Sequence, residues 1–232
     1  MNHILLAAAL LSTLPAPAHA EDRRVMVTGF DSIRVEGPFD VELRTGGATG
    51  ATISGEARTL DGVAVRVEDR VLVVSANPNG WGGWPDARAA TPRIVATAPA
   101  IRSATLVGNG RLAIDRMASQ QVTIDMSGSG SLRVAAIAAD EFRATLTGAG
   151  SLEVRGTTAR ARFASNGANR IDAAGLAVRD LTVLSQSPSE SSFAASETAN
   201  VTAAGLGQVT VSGKAACTVA GPGPVICGNR TQ

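Results

Sequence analysis

The sequence predicts an all-β fold, a parallel β-solenoid that repeats about every 20 residues. Three observations lead to this class. Short segments rich in β-branched residues end at Gly, Pro or Asn, as strands and their turns do. No segment combines a helical apolar period with helix caps. From residue 101 onward the chain repeats, and repeats that each have one apolar face bury that face by stacking turn upon turn.

The first twenty residues have the composition of a secretory signal peptide. An apolar run from Ile4 to Leu14 is too short to span a bilayer, and Ala18-His19-Ala20 has the small-x-small pattern of a cleavage site. We expect cleavage after Ala20 and a mature chain, residues 21–232, that forms a single β-solenoid domain. The expected location is the periplasm, the cell surface or the extracellular space. No later segment has the length and apolarity of a membrane span.

Residues 30–100 are predicted to form a strand-rich section that precedes the repeat. Its predicted strands are Ile33–Val35, Phe39–Leu43, Val63–Val67, Val71–Val74 and Ile94–Ala96. A loop rich in Gly, Pro and Asn, residues 77–92, interrupts them and carries Trp81 and Trp84. Two large aromatic side chains on a loop can contact a ligand or partner by stacking on sugar rings or a protein surface. They can equally fold back over one end of the solenoid, and the sequence leaves both alternatives open.

The repeat, residues 101–227, is aligned on seven corner triplets. They are Gly108-Asn109-Gly110, Gly128-Ser129-Gly130, Gly148-Ala149-Gly150, Ser165-Asn166-Gly167, Ser185-Gln186-Ser187, Gly205-Leu206-Gly207 and Gly221-Pro222-Gly223. An apolar-polar-apolar pattern precedes every triplet, which indicates a strand with one buried face. Glycine suits the corner because it permits a positive φ and close packing of successive turns. The serines from Ser185 to Ser196 are predicted to form an expanded loop.

The opening segment Phe30-Asp31-Ser32-Ile33-Arg34-Val35-Glu36-Gly37-Pro38-Phe39-Asp40-Val41-Glu42-Leu43 and the repeated Leu/Met-Ser/Thr-Gly-x-Gly-Ser-Leu pattern resemble the auto-transporter adhesin head GIN domain family. The resemblance extends from Phe30 to Cys227. It implies a right-handed, single-chain parallel β-helix in a bacterial envelope protein. It implies no catalytic residues.

Composition excludes several classes of chemistry. The 21 basic and 20 acidic residues balance, so no electrostatic feature points to nucleic acid or anionic lipid as a partner. Both histidines, His3 and His19, lie in the predicted signal peptide, so the mature chain would lack His-based catalysis and His-ligated metals. We therefore expect no cofactor, metal or catalytic residue. The predicted function is an exported, non-enzymatic, adhesin-like binding or structural module, with a glycan or an envelope or surface protein as partner.

The alternative from another class is a carbohydrate-active enzyme, a polysaccharide lyase or hydrolase that uses paired carboxylates. The best candidates are Glu153 and Glu190, in a predicted outward column that continues through Arg133 and Arg170. Flanking arginines lower the pKa of a carboxyl group, whereas a catalytic acid needs a raised one. The column is therefore interpreted as a surface ladder of ion pairs, each worth about 0.2–1 kcal/mol.

The two cysteines, Cys217 and Cys227, are predicted to form a disulfide in the last turn. An exported chain meets an oxidising compartment, and both residues occupy columns that are otherwise apolar and inward-facing. Two buried free thiols are the alternative.

Overall fold

The computed structural model describes residues 21–77, 91–228 and 230–231. The predicted signal peptide and its cleavage after Ala20 lie outside the described residues, and so do Trp81 and Trp84. The predictions made for them therefore stay predictions.

Strands make up most of the described chain, as expected for an all-β fold. The strands of the first half are β1 (Glu21–Val25), β2 (Ser32–Glu36), β3 (Asp40–Thr45), β4 (Gly50–Gly55), β5 (Val63–Glu68), β6 (Val71–Ala76), β7 (Arg93–Ala98), β8 (Ser103–Gly108) and β9 (Arg111–Gly128). Those of the second half are β10 (Ser131–Gly148), β11 (Ser151–Asn166), β12 (Arg170–Gln186), β13 (Ser191–Ala195), β14 (Thr198–Ala203), β15 (Val209–Gly213), β16 (Ala216–Ala220), β17 (Val225–Cys227) and β18 (Arg230–Thr231). A short helix, α1 (Ala57–Asp61), follows β4.

The repeat winds as a parallel β-solenoid with turns about 20 residues apart, as predicted. Its strands stack into three sheets. Sheet A contains β6, β2, β8, the final parts of β9 to β12, β14 and β16; sheet B contains β7, β3, the initial parts of β9 to β12, β13, β15 and β17; sheet C contains the middle parts of β9 to β12. Inward side chains of all three sheets form one continuous apolar core.

The strand-rich section before residue 101 joins the solenoid in an order that differs from chain order. In sheet A, Ile33 of β2 pairs with Leu72 of β6 on one side and with Ala104 of β8 on the other. In sheet B, β3 lies in the same way between β7 and β9. The turn formed by β2 and β3 is thus enclosed by two turns that follow it in sequence. Antiparallel strands complete this end, with β5 beside β6, β4 beside β7 and β1 beside β4.

A stack of glycines forms the corner between sheets A and B. Gly108, Gly128, Gly148 and Gly167 all have positive φ, between +97° and +116°. A Cβ atom added at Gly148 would lie 2.4 Å from the carbonyl oxygen of Gly128 in the turn below. The corner therefore excludes side chains both by backbone conformation and by contact between turns.

The predicted alignment of three corner triplets is wrong by two residues. Ser165 pairs with Leu146 and faces the interior, so the fourth corner begins at Gly167 rather than Ser165. Ser185 in turn pairs with Ser165, which moves the fifth corner to Ser187. A Cβ atom on Gly221 would contact Ala203, so the last corner begins at Gly223. A shift of two residues keeps every side chain on its own face, and polarity alternation cannot detect it.

The predicted serine loop is also wrong, because most of the segment is strand. Ser185 lies near the end of β12. Ser191 is the first residue of β13, which pairs with β12 and β15. Ser187 does replace a corner glycine. Its buried hydroxyl donates to the carbonyl oxygen of Asn169 at 2.8 Å and accepts from the backbone N–H of Ser189 at 3.0 Å. These bonds allow a polar side chain at a buried corner.

The predicted disulfide is confirmed. Cys217 of β16 and Cys227 of β17 are bonded, and their Cα atoms are 6.4 Å apart. Because β16 belongs to sheet A and β17 to sheet B, the bond links the two sheets in the last turn. Among the described residues this turn has a neighbouring turn on one side only, so the covalent link restrains a part of the solenoid that packs against fewer strands.

Replacing both cysteines by alanine should lower the free energy of unfolding by about 2–3 kcal/mol, because the bond closes a short loop in the unfolded chain. The measurement is guanidinium unfolding of the oxidised chain and of Cys217→Ala/Cys227→Ala, with the reduced chain as a second comparison. Equal midpoints for the oxidised and reduced chains would contradict this role.

Candidate binding groove

A shallow groove crosses the outer surface of sheet B where two alanines take the place of longer side chains. Ala113 pairs with Glu42 on one neighbouring strand and with Arg133 on the other. Ala135 adds to the same floor. Since an alanine side chain ends at Cβ, the long side chains on either side stand above it as walls. The complete lining is Glu42, Leu43, Arg44, Ala113, Ile114, Asp115, Arg133, Ala135 and Arg155.

Two arginines, Arg133 and Arg155, form one wall, and both pair with the carboxylate of Glu153, which does not itself line the groove. Glu153 Oε1 accepts hydrogen bonds from Arg133 Nη2 at 2.7 Å and from Arg155 Nη2 at 2.9 Å. Its side chain is 29% exposed, whereas both arginine side chains are more than half exposed. The carboxylate therefore fixes the two arginines while their remaining N–H groups stay accessible. The Arg133–Glu153 pair was predicted from the 20-residue spacing, and it is confirmed.

The opposite wall repeats the arrangement. Glu42 accepts from Arg44 Nε at 2.7 Å and also from Arg93 Nη2. Between the walls, the carboxylate of Asp115 accepts from the backbone N–H of Thr45 and from its hydroxyl at 2.9 Å. Each polar side chain at this end of the groove is thus held by a second residue, which reduces the entropy lost when a ligand binds.

The wall carboxylates stay ionised at neutral pH. Hydrogen bonds from Arg155 and then from Arg133 lower the pKa of Glu153, more than its partial burial raises it. Hydrogen bonds from Arg93 and Arg44 lower the pKa of Glu42 in the same way. A carboxyl group with a lowered pKa is a poor general acid. The groove is therefore suited to holding charge rather than to transferring protons.

The predicted column beyond Glu153 is wrong. Asp172 pairs with Glu153, and Ser192 pairs with Asp172, so neither Arg170 nor Glu190 continues the ladder. Arg170 instead pairs with Ser151, because the corner alignment was shifted by two residues. Glu190 consequently stands in a different column from Glu153, with β12 between them. The structure does not bring the two candidate catalytic carboxylates together.

Sequence reasoning missed Glu42, Arg44 and Asp115 as groove residues. A usable signal was present, since Glu42-Leu43-Arg44 and Glu153-Val154-Arg155 share the spacing Glu-x-Arg. Residues two apart on a strand point to the same face, so this spacing predicts an ion pair on the outer surface. Within the described residues, no group of three or more His, Cys, Asp or Glu side chains is arranged to hold a metal ion. No helix in that part of the chain is long and apolar enough to cross a membrane.

Acid should weaken both walls. The folded-state pKa of Glu42 and of Glu153 lies below its usual range, so in acid the unfolded chain binds more protons than the folded chain. The free energy of unfolding therefore decreases as the pH is lowered. The contribution is complete above the unfolded carboxyl pKa of about 4.3 and disappears as pH falls through the lowered values. We expect the urea concentration at the unfolding midpoint to decrease as the pH is lowered below about 4. The decrease should be less steep in Glu153→Gln. If the urea midpoints of the unmodified chain and of Glu153→Gln decreased equally at acid pH, the lowered pKa of Glu153 would be contradicted.

Residues 29–215 match the family described as "Putative auto-transporter adhesin, head GIN domain". The chain belongs to this family. The matched residues make up most of the chain and include both walls of the groove. No curated protein sequence matches the chain.

Solved structures share the fold of this head GIN domain. A "putative adhesin" from Bacteroides fragilis NCTC 9343 has a TM-score of 0.81 at 19% identity, covering 90% of this chain and 97% of that one. A "putative lipid binding protein" from Parabacteroides distasonis ATCC 8503 has a TM-score of 0.71 at 20% identity, covering 91% and 97%. A "putative adhesin" from Parabacteroides merdae ATCC 43184 has a TM-score of 0.68 at 15% identity, covering 91% and 97%. At these identities the likeness shows the fold alone.

Proposed function

We propose that this head GIN domain is an exported, non-enzymatic module that binds acidic polysaccharide along sheet B. The observation that carries the proposal is the pair of walls, each with one carboxylate between two arginines, on either side of an alanine floor. The adhesin description of the family supports a binding role over a catalytic one.

The groove fits a polymer that carries both carboxylates and hydroxyl groups. Each wall has two guanidinium groups and one carboxylate and so carries one net positive charge, and with Asp115 between the walls the whole set carries a net charge of +1. A uronate carboxylate can accept two parallel hydrogen bonds from an arginine such as Arg44 or Arg155. Sugar hydroxyls can donate to the carboxylate oxygens of Asp115 and Glu42. Stacked strands about 4.8 Å apart give an extended surface along which such a chain can lie.

The same chemistry argues against a polysaccharide lyase or hydrolase. The pKa of the carboxyl group is lowered in Asp31, Glu42, Glu153 and Asp180, each of which accepts a hydrogen bond from an arginine. A general acid for glycosidic cleavage needs the opposite displacement. Binding without turnover is the function that these side chains support.

Export forms the second part of the proposal, with residues 1–20 removed after Ala20 and residues 21–232 forming one domain. Strand β1, Glu21–Val25, pairs with β4 and so belongs to the domain that the proposed cleavage would leave. The disulfide fits an oxidising compartment. N-terminal sequencing of protein recovered from the bacterial envelope should begin at Glu21, and a sequence that begins at Met1 would contradict export by this route.

A polysaccharide panel tests the binding proposal. Purified residues 21–232 are passed over immobilised polygalacturonate and alginate, with dextran and amylose as neutral controls. We expect retention on the two uronate polymers, release as salt is raised, and no change in polymer length after incubation. Equal retention on neutral polymers would contradict the role of the arginines, and shortened polymers would restore the enzyme alternative.

A further inference from the structure

Strand β16 leaves one edge of sheet A open. It pairs with β14 on one side, and no strand in the described part of the chain lies on the other side. Its sequence, Ala216-Cys217-Thr218-Val219-Ala220, contains no charged residue and no proline. The free N–H and C=O groups of such an edge are a template for another strand.

At the other end of the solenoid, the edge strands carry charged side chains. Strand β1 pairs only with β4 and carries Arg23 and Arg24, while β5 pairs only with β6 and carries Arg66 and Glu68. Charged side chains on an edge strand oppose pairing with another chain. In sheet B, the edge of β17 is paired with β18. Strand β16 has neither charged residues nor a further strand of the described chain paired along its open edge.

The inward side chains of β16 are incompletely buried. Cys217 and Val219 point toward the core and pack against it, but both remain only half-buried. Their partners on the neighbouring strand β14, Ala199 and Val201, are at most 2% exposed. One more layer against β16 would complete the burial of this end of the core, which favours association.

We infer that β16 is the contact between two copies of this chain, joined antiparallel about a two-fold axis through Thr218. This register pairs all five residues: Ala216 lies opposite Ala220, Cys217 opposite Val219, and Thr218 opposite its own copy. Antiparallel partners share a face, so inward residues meet inward residues. The nearest charged residue, Lys214, falls opposite Pro222 of the second copy, and no like charges meet. A self-complementary edge closes as a dimer instead of growing into a fibre.

Sedimentation of residues 21–232 tests the contact. We expect a dimer whose dissociation constant rises at least tenfold in Thr218→Lys, because two ammonium groups would then lie opposite each other. The matched control is Asn200→Lys, an exposed position that pairs with Thr218 one strand inside the sheet. A monomer at all concentrations, a larger assembly, or equal effects of the two variants would overturn the proposal.

Cross-linking tests the register even if the lysine variant fails to fold. Thr218→Cys should form a disulfide between copies under mild oxidation, since directly opposed residues of antiparallel strands bring Cα atoms within disulfide range. Asn200→Cys should remain monomeric on a non-reducing gel. Cross-linking at both positions, or at neither, would overturn the two-fold register.

Discussion

Replacing Gly148 by alanine should lower the free energy of unfolding by about 2–6 kcal/mol, the sum of backbone strain and overpacking. Gly148 has φ +112°, and its added Cβ would meet the backbone oxygen of Gly128 at 2.4 Å. The neighbour is backbone in a stacked turn, so it cannot rotate away as a side chain could. Relief requires the spacing of two turns to change along the corner.

The matched control is Gly50→Ala in β4. Gly50 has no positive φ, and a Cβ atom there would meet nothing within 4 Å. Its substitution should be neutral or stabilising by up to about 1 kcal/mol, because alanine restricts the unfolded chain. Guanidinium unfolding of both variants measures the difference. Similar midpoints for the two variants would mean that the glycine stack does not set the distance between turns.

Replacing Phe163 by alanine should cost about 3–5 kcal/mol, as is usual for a large buried ring. Its ring is 1% exposed and lies edge-to-face between Phe142, at 5.4 Å between ring centroids, and Phe193, at 4.8 Å. The three rings, on β10, β11 and β13, contact one another in the interior, so the cavity left by Phe163 would border both of the others.

Leu184→Ala is the control for this substitution. Leu184 lies on the outer surface of sheet A, 44% exposed, and pairs with Ala164 on the adjacent strand. Its replacement should change stability by no more than about 0.5 kcal/mol. If Phe163→Ala had an effect as small as this, the inward and outward assignment of the strands would be inverted.

The sequence predicted the solenoid because the physical demands on its corners are strict. A stacked turn with positive φ accepts almost only glycine, so Gly108, Gly128 and Gly148 recur at a fixed interval. The alignment failed at the fourth corner, where Gly167 meets the same demand but was placed last in its triplet. Ser165 stands in the inward column of Leu146, and its small polar side chain resembles a corner residue in sequence.

The order of the first turns could not be predicted. Any apolar strand can stack on any other, so alternation did not reveal that β2 lies between β6 and β8. This order also determines the groove. Glu153 and Arg133 were found by spacing within the repeat, but Glu42 reaches the same groove only because β3 lies beside β9. The alanine floor gave no signal, since it is defined by the lack of a side chain beyond Cβ.

The affinity of groove variants for polygalacturonate tests the central claim most directly. Titration calorimetry would compare the unmodified chain with Arg133→Gln/Arg155→Gln, and with Arg143→Gln as the control. Arg143 is exposed and pairs with Glu141 at 3.0 Å, but it does not line the groove. We predict that the double variant weakens binding at least about tenfold, the loss of one or more hydrogen bonds to a charged group, and that the control changes it less than about twofold. Equal affinities for the double variant and the control would contradict a binding site in this groove.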